Sequence, residues 1–234
     1  MRILTLVFAL AMAITGAAQA QTNTITVGGG MESSPVDRSD SYKGNLVWQH
    51  SLGGAYSIGT TAETYQVQGG KGNNAVKTSL EADAWYTRQV WGPVGIKLGV
   101  GIGERVQTPH NFGYYALYAT GNYTINEHWT LNPVQYRYRN GFDSLDHFES
   151  HQWGTGLTYN IDATQAVSAK VYRTYSGGWQ TQSDGGALFY TTVDVEFDFV
   201  SSEDGSKHVV KTFGEAMDSG DKGTNKAKIG RAHV

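Results

Sequence analysis

The chain has 234 residues, a formal net charge of −3 and no cysteine. A charge this close to zero gives no basis for binding nucleic acid or another polyanion. Without cysteine the chain can form neither a disulfide framework nor a thiolate site. Glycine and aromatic residues are abundant and proline is scarce, with 30 Gly, 14 Tyr, 6 Trp and 4 Pro. This composition favours a β-barrel.

The first twenty residues have the layout of a secretory signal peptide. Met1-Arg2 supply positive charge, residues 3–14 form an apolar run, and Ala18-Gln19-Ala20 is a small-x-small cleavage site. The apolar run is too short for a transmembrane helix, which needs about 20 residues. We therefore expect residues 1–20 to be removed and the mature chain to begin at Gln21.

The last residues are expected to lie outside the folded domain. Residues 228–234 look like the in-frame translation of a sequencing adapter, so they are excluded as an artefact. Residues 201–227 are rich in Gly, Ser, Asp and Lys, which predicts a polar, disordered tail on the periplasmic side.

Between these ends, apolar and polar residues alternate with the period of two that is typical of strands. Residues 189–199 show it best, with an apolar face of Phe189, Thr191, Val193, Val195, Phe197 and Phe199. The opposite face carries Tyr190, Thr192, Asp194, Glu196 and Asp198. Ten segments follow this pattern: 24–31, 45–52, 56–67, 80–87, 96–103, 114–123, 129–138, 153–159, 167–175 and 189–199. The parity slips at Pro133, which predicts a bulge because proline cannot donate to a strand ladder.

The connections between the segments alternate in length. The connections after even-numbered segments are short: 53–54, 91–94, 126–128 and 160–164. Those after odd-numbered segments are mostly longer and polar: 32–43, 69–77, 108–112, 140–147 and 176–186. Short turns on one side and long loops on the other are typical of bacterial membrane barrels. A regular alternation of short and long connections is not expected for a soluble β-sandwich.

We therefore predict an all-β fold over residues 21–200. It is a closed, antiparallel, up-and-down transmembrane β-barrel of about ten strands, within a range of eight to twelve. The even strand number places both ends of the barrel domain on the side of the short turns.

At this point the chain resembles the small outer-membrane β-barrel proteins of Gram-negative bacteria. Their last strand carries an assembly signal of alternating aromatics, and Tyr190, Phe197 and Phe199 occupy comparable places. One departure is that residues 200–234 follow Phe199, whereas the family signal normally closes the chain. The resemblance implies a location in the bacterial outer membrane. It also implies outer-membrane lipid, lipopolysaccharide and the barrel-assembly machinery as partners.

Aromatic residues near the segment ends fit the same interpretation. We expect them to form girdles at the two membrane interfaces, although ordinary packing of strand aromatics explains any single one equally well. The residues concerned are Trp48, Trp91, Trp129, Trp153, Tyr159 and Tyr175.

The faces predicted to point inward carry charges of both signs. They are Glu63, Glu81, Asp83, Asp194, Glu196 and Asp198 against Lys97, Arg105, Arg137, Arg139 and Lys170. Buried charge is tolerated when it is paired and hydrogen-bonded, so we predict a lumen crossed by ion pairs. Folding about the turn at 91–94 predicts the pairs Glu81–Arg105 and Gln89–Lys97. Folding the last two segments together places Lys170 within one pair of Asp194.

Two functions follow from such a lumen. If the ion pairs close it, the barrel is a structural scaffold that presents loops. If its glycines leave a gap, it is a narrow porin-like channel for small solutes or ions, whose selectivity the charges tune. The glycines concerned are Gly99, Gly101, Gly103, Gly154 and Gly156.

A third alternative is an outer-membrane enzyme with active residues at the extracellular rim. The candidates are His110, Asp143, Asp146, His147, Glu149, His151 and Asp184, since histidine beside a carboxylate can act as a general base. The spacing His147-x-Glu149-x-His151 also places alternate side chains on one strand face, where they could bind a metal. Polar loops facing water need such residues anyway, and no nucleophile or zinc-helix motif appears. The expectation is therefore no catalytic residue, no metal and no cofactor.

Overall fold

The computed structural model describes residues 22–34, 39–69, 76–107, 111–143, 148–162, 164–176 and 188–202. The predicted signal peptide and the adapter-like end lie outside these residues. Of the predicted tail, residues 201 and 202 belong to the last strand and 203–227 lie outside the described part. No helix within that part has the length and apolarity that a membrane span requires.

Within the described residues, ten strands form the domain, as the alternation predicted. Their bounds are β1 Thr22–Ser34, β2 Ser39–Ser51, β3 Tyr56–Gly69, β4 Val76–Trp91, β5 Val94–Val106, β6 Phe112–Thr124, β7 Trp129–Gly141, β8 Glu149–Asn160, β9 Gln165–Ser176 and β10 Leu188–Ser202. Each strand pairs antiparallel with its neighbours in sequence, and β1 pairs with β10 to close the barrel. The closed, antiparallel, up-and-down topology is therefore confirmed.

The two ends of the barrel differ in their connections. At one end, called the turn end, lie the short connections 52–55, 92–93, 125–128 and 161–164 together with the start of β1 and the end of β10. At the other, called the loop end, lie 35–38, 70–75, 107–111, 142–148 and 177–187. The first of these is shorter than predicted, because β1 and β2 both extend into the segment taken for a loop.

Local chemistry closes the tight turns. Gly53, Gly54 and Gly92 have φ angles of 87°, 62° and 51°, which side chains other than glycine rarely adopt. In the β8–β9 turn, Asp162 accepts hydrogen bonds from the backbone N–H groups of Thr164 and Gln165 at 2.7 and 3.0 Å. The Thr164 N–H in particular holds the pKa of Asp162 below its usual value.

The predicted bulge at Pro133 is confirmed. The β7–β8 register shifts between Asn132, which lies opposite Gly156, and Gln135, which lies opposite Gly154. Proline therefore occupies a position at which the ladder is already interrupted.

The predicted register between β4 and β5 was wrong by two residues, which is one step along the inward face. Arg105 lies opposite Ser79, and Lys97 lies opposite Thr87. The connection closes as a two-residue turn at 92–93, and the register then shifts again around Val90. As a result of both features, each residue of β5 pairs with an earlier residue of β4 than predicted. The prediction for β9 and β10 holds, since Lys170 lies directly opposite Asp194.

Burial in this barrel is the inverse of that in a soluble protein. Within the described residues the buried apolar set comprises Tyr65, Val67, Phe112, Tyr114 and Ala116, whereas the buried polar and charged set is larger and includes Glu63, Glu81, Asp83, Arg139 and Asp194. Along β10, Val193, Val195, Phe197 and Phe199 are all exposed on the outside, while Thr192 and Asp194 are buried inside. The apolar faces therefore do not meet in a dry centre as those of a β-sandwich do.

Candidate functional site: the charged interior

Glu63 of β3 is the centre of an ion-pair network inside the barrel. Its carboxylate lies 2.6 Å from Arg139 and 3.1 Å from Arg137, both on β7, and 3.7 Å from Lys43 on β2. Strands β3 and β7 are not neighbours in the sheet. These side chains therefore meet across the interior.

The network extends from Glu63 in both directions. Arg139 also lies 2.9 Å from the carboxylate of Glu81 on β4, which accepts a hydrogen bond from the Tyr118 hydroxyl. Lys43 lies 2.6 Å from Asp194 on β10. We call the six charged residues Asp194, Lys43, Glu63, Arg137, Arg139 and Glu81 the ionic belt. It contains three acids and three bases, so its formal charges cancel.

A second ion pair lies beside the ionic belt. Lys170 of β9 binds Glu196 of β10, and Glu196 also accepts a hydrogen bond from the Asn45 amide at 3.4 Å. This pair is diagonal, since the residue directly opposite Lys170 is Asp194. Asp194 is bound by Lys43 instead.

The remaining charged residues singled out from the sequence also have uncharged partners. Asp83 accepts hydrogen bonds from Trp85 Nε1 at 2.5 Å and Thr61 at 3.2 Å. Asp198 accepts one from the Thr26 hydroxyl. Lys97 donates to Gln49 at 3.0 Å and lies 4.3 Å from the centre of the Trp85 ring. The electrostatic attraction of the ring face stabilises a cation placed over it.

Arg105 lies in an aromatic cluster at the loop end of the interior. Its guanidinium is 4.8 Å from the Phe148 ring centre and 5.8 Å from that of Tyr65, and its Nε donates to Ser79 at 3.1 Å. Phe148 packs on Phe112 and Tyr114 with ring-centre distances of 4.8 and 5.8 Å. Arg105 and these aromatic rings therefore pack together inside the barrel at its loop end, beside the ionic belt.

Inward glycines face large side chains of the next strand. Direct cross-strand pairs of this kind are Gly28–Glu196, Gly30–Asp194, Gly59–Asp83, Gly95–Asn122, Gly99–Trp85, Gly103–Tyr114, Gly154–Tyr172 and Gly156–Lys170. Each glycine leaves the space that its partner's side chain occupies. At Gly101 the neighbouring Glu81 side chain fills that space. At Gly99, Gly101, Gly103, Gly154 and Gly156, the position that a Cβ would take therefore lies against a neighbouring side chain.

Gly99→Ala tests this complementarity. A Cβ there would lie 2.5 Å from Cζ3 of Trp85, whose ring is packed on Tyr118 and Lys97. We expect the free energy of unfolding to fall by about 1–3 kcal/mol, the usual cost of overpacking.

The matched control is Gly44→Ala, whose Cβ would meet only Thr64 at an ordinary 3.6 Å. Urea unfolding of both variants in lipid vesicles, followed by tryptophan fluorescence, gives the comparison. Equal stabilities of the two variants would show that the Trp85 ring does not need the space above Gly99.

Sequence reasoning missed Lys43, which joins Glu63 to Asp194. The predicted second segment began at residue 45, so Lys43 was assigned to a loop. Extending the alternation back from Asn45 would have placed it on the inward face. It also missed Tyr65, Trp85 and Tyr118 as partners of charged groups, because an inward aromatic ring looks the same in sequence as an ordinary packing residue.

The aromatics predicted for the membrane interfaces occupy both ends of the strands. Trp91, Trp129 and Tyr159 lie at the turn end, and Trp48 lies near it. Tyr175 lies at the loop end, and Trp153 is further inside β8. Of the predicted assembly signal, Phe197 and Phe199 point outward and are about half exposed. Tyr190 belongs to β10, but its side chain lies outside the described part. The girdle and the assembly signal remain predictions.

The proposed rim residues are only partly described. His110, Asp146, His147 and Asp184 lie outside the described residues. His151 contacts Tyr136 through Nδ1 at 2.9 Å and Glu149 through Nε2 at 3.2 Å. In the described part of the chain, no three histidine, cysteine or carboxylate side chains are grouped closely enough to hold a metal.

No protein-family model and no curated protein match the chain. Among solved structures, an outer-membrane channel from Pseudomonas putida F1 matches with a TM-score of 0.52 and 9% identity, covering 80% of this chain and 97% of that one. The KdgM porin in complex with disordered oligogalacturonate matches with a TM-score of 0.42 and 13% identity, over 75% and 98%. Neisserial surface protein A matches with a TM-score of 0.39 and 10% identity, over 76% and 96%. This chain has the fold of outer-membrane β-barrel proteins.

Proposed function

We propose that the protein is an integral outer-membrane barrel that acts as a structural, loop-presenting scaffold, with a lumen closed by paired charges. The exposed apolar side chains would contact lipid, and the connections at the loop end would face the cell exterior. The turn end, with both ends of the barrel domain, would face the periplasm.

The ionic belt carries this proposal. It joins β10, β2, β3, β7 and β4 through contacts of 2.6–3.7 Å, and the interior of a barrel with few strands is narrow enough for side chains to fill. Opening a path for solutes would require breaking pairs of buried charges, which costs several kcal/mol for each uncompensated ion. The occupied space above the inward glycines supports closure as well.

A narrow channel is the second candidate, and one observation favours it. Within the described residues, buried polar atoms of Arg137, Arg139 and Asp194 have no hydrogen-bond partner: the two arginine Nε atoms and the carboxylate Oδ1. Buried polar groups are satisfied by water where the protein does not satisfy them. A hydrated interior could carry small ions past the ionic belt.

Catalysis is not part of the proposal. The one rim histidine with described contacts, His151, has both ring nitrogens engaged by Tyr136 and Glu149. This arrangement lacks the serine or threonine hydroxyl that a histidine base activates in hydrolases.

Single-channel recording in planar bilayers separates the scaffold from the channel. We expect the refolded wild-type protein to insert without discrete conductance steps. The double variant Arg139→Ala with Glu81→Ala, which removes an ion pair without changing net charge, is expected to conduct and so reports insertion. Discrete steps from the wild-type protein would reject the scaffold in favour of the channel.

A further inference from the structure

A continuous group of aromatic rings lies on the outer face of the barrel near the loop end of β6–β9. We call it the aromatic patch, and its members are Tyr115, Tyr136, Tyr138, His151, Trp153 and Tyr175. Ring-centre distances are 4.2 Å for Tyr136–Trp153, 4.9 Å for Tyr138–His151, 6.0 Å for Tyr115–Tyr138 and 6.3 Å for His151–Tyr175. Trp153 is 56% exposed, whereas its neighbour Gln152 is buried inside the barrel.

Polar atoms connect these rings. His151 lies between the Tyr136 hydroxyl and the Glu149 carboxylate. The Asn140 amide donates to the hydroxyls of Tyr138 at 2.9 Å and Tyr115 at 3.4 Å. Imidazole, carboxylate and amide groups on an outward face are costly against hydrocarbon but not against lipid headgroups. In a membrane the aromatic patch therefore belongs to the headgroup layer.

Arg173 of β9 lies at the edge of the aromatic patch that is farther from the loop end. It lies opposite Trp153 and its side chain is exposed on the outer face. The next outward residue of β9, Val171, lies beside exposed Val193 of β10. A cation is thus placed where the polar, aromatic surface gives way to the apolar one.

Among the residues that the structure describes, the rest of the outer face at the loop end differs from this sector in its lack of contacting rings. At the level of Arg173, the exposed residues of β10, β1 and β2 are the polar Thr191, Ser33 and Asp40. Within the described residues, the contacting outward rings at the loop end are therefore concentrated on β6–β9. Four strands span about 14 Å, which is wider than a single phosphate group.

We propose that the aromatic patch and Arg173 bind the phosphorylated sugar headgroup of a glycolipid of the lipid A type. The guanidinium would bind a phosphate, as arginine commonly does. The rings offer flat apolar faces with polar edges to the sugars, and Val171 and Val193 would contact the acyl chains. Glu149 is four residues from Trp153 along β8, a backbone separation of about 13 Å, and its carboxylate is engaged by His151. The inference rests on the proposed outer-membrane location.

The experiment titrates the refolded full chain, in detergent micelles, with three lipids: diphosphoryl lipid A, dephosphorylated lipid A and phosphatidylglycerol. Native mass spectrometry counts the bound molecules. We expect wild-type protein to prefer diphosphoryl lipid A. Arg173→Gln should weaken that binding about tenfold, as expected from the loss of a charge-assisted hydrogen bond. The matched control is Arg88→Gln, because Arg88 is also exposed on the outside but lies near the turn end; it should leave binding within about twofold.

Three results would overturn the inference. One is equal binding of phosphatidylglycerol and diphosphoryl lipid A. Another is an equal loss in both arginine variants. The third is the finding that the wild-type protein is a dimer and that Trp153→Arg makes it monomeric. A second copy of the chain would then occupy the aromatic patch. Failure of the proposed function is separately visible, since the mature protein would then be freely soluble and would migrate identically in gels with and without boiling.

Discussion

Replacing Arg139 with methionine is expected to lower the free energy of unfolding by about 3–5 kcal/mol, the usual cost of breaking a buried ion pair from one side. Arg139 is 1% exposed and contacts both Glu63 and Glu81. Glu63 would keep Arg137 and Lys43, whereas Glu81 would lose its arginine and keep an uncharged partner, the hydroxyl of Tyr118. The loss therefore falls mainly on the Glu81 carboxylate, and it can be measured by urea unfolding in lipid vesicles.

A double-mutant cycle assigns that cost to the pair. Arg139→Met combined with Glu81→Gln should be less destabilising than the sum of the two single changes, because no unpaired carboxylate remains. Arg88→Met on the outer face is the control and should stay within about 0.5 kcal/mol of wild type. Strict additivity, or a loss below about 1 kcal/mol for Arg139→Met, would contradict the ionic belt.

The second large effect is expected for a substitution on the outer face of the barrel wall. Val195 lies in the middle of β10 and is 41% exposed. In a soluble protein, arginine at such a position would cost little. Facing the centre of a bilayer, Val195→Arg is expected to lower the free energy of unfolding by about 2–4 kcal/mol.

The same substitution at the edge of the wall is the control. Val90 is 59% exposed and lies at the turn end of β4, where the register is already irregular. Val90→Arg should cost only about 0–1 kcal/mol, because a charge near the interface stays hydrated. Both variants are refolded into vesicles and unfolded with urea. Equal losses at the two positions would argue against a membrane-embedded wall.

The fold was predictable because it depends on properties that one strand displays by itself. The alternation in β10, the bulge at Pro133 and the length difference between connections at the two ends are all local in sequence. The alternation also places Arg88 and Arg173 on the outer face near strand ends, and both are exposed there.

The interior was only partly predictable, because its contacts join strands that are distant in sequence. Alternation places Glu63 and Arg139 inside, but nothing in the chain indicates that β3 and β7 meet across the barrel. The β4–β5 pairs were displaced because a tight turn and a bulge add their offsets, and neither is visible in hydrophobic alternation. Glycines were read as missing volume, whereas the volume belongs to the residue on the next strand, as at Gly99 and Trp85.

The orientation of the wall can be measured directly, since the chain contains no native cysteine. Single cysteines at each position from 192 to 199, labelled with a nitroxide in refolded, bilayer-inserted protein, report accessibility to oxygen and to a water-soluble nickel complex. We expect the labels at 193, 195, 197 and 199 to be more accessible to oxygen than to the nickel complex. The labels at the positions between them should be more accessible to the nickel complex, or shielded from both reagents by neighbouring side chains. Odd positions shielded from both reagents, or accessibility without a period of two, would contradict a barrel whose apolar side chains face lipid.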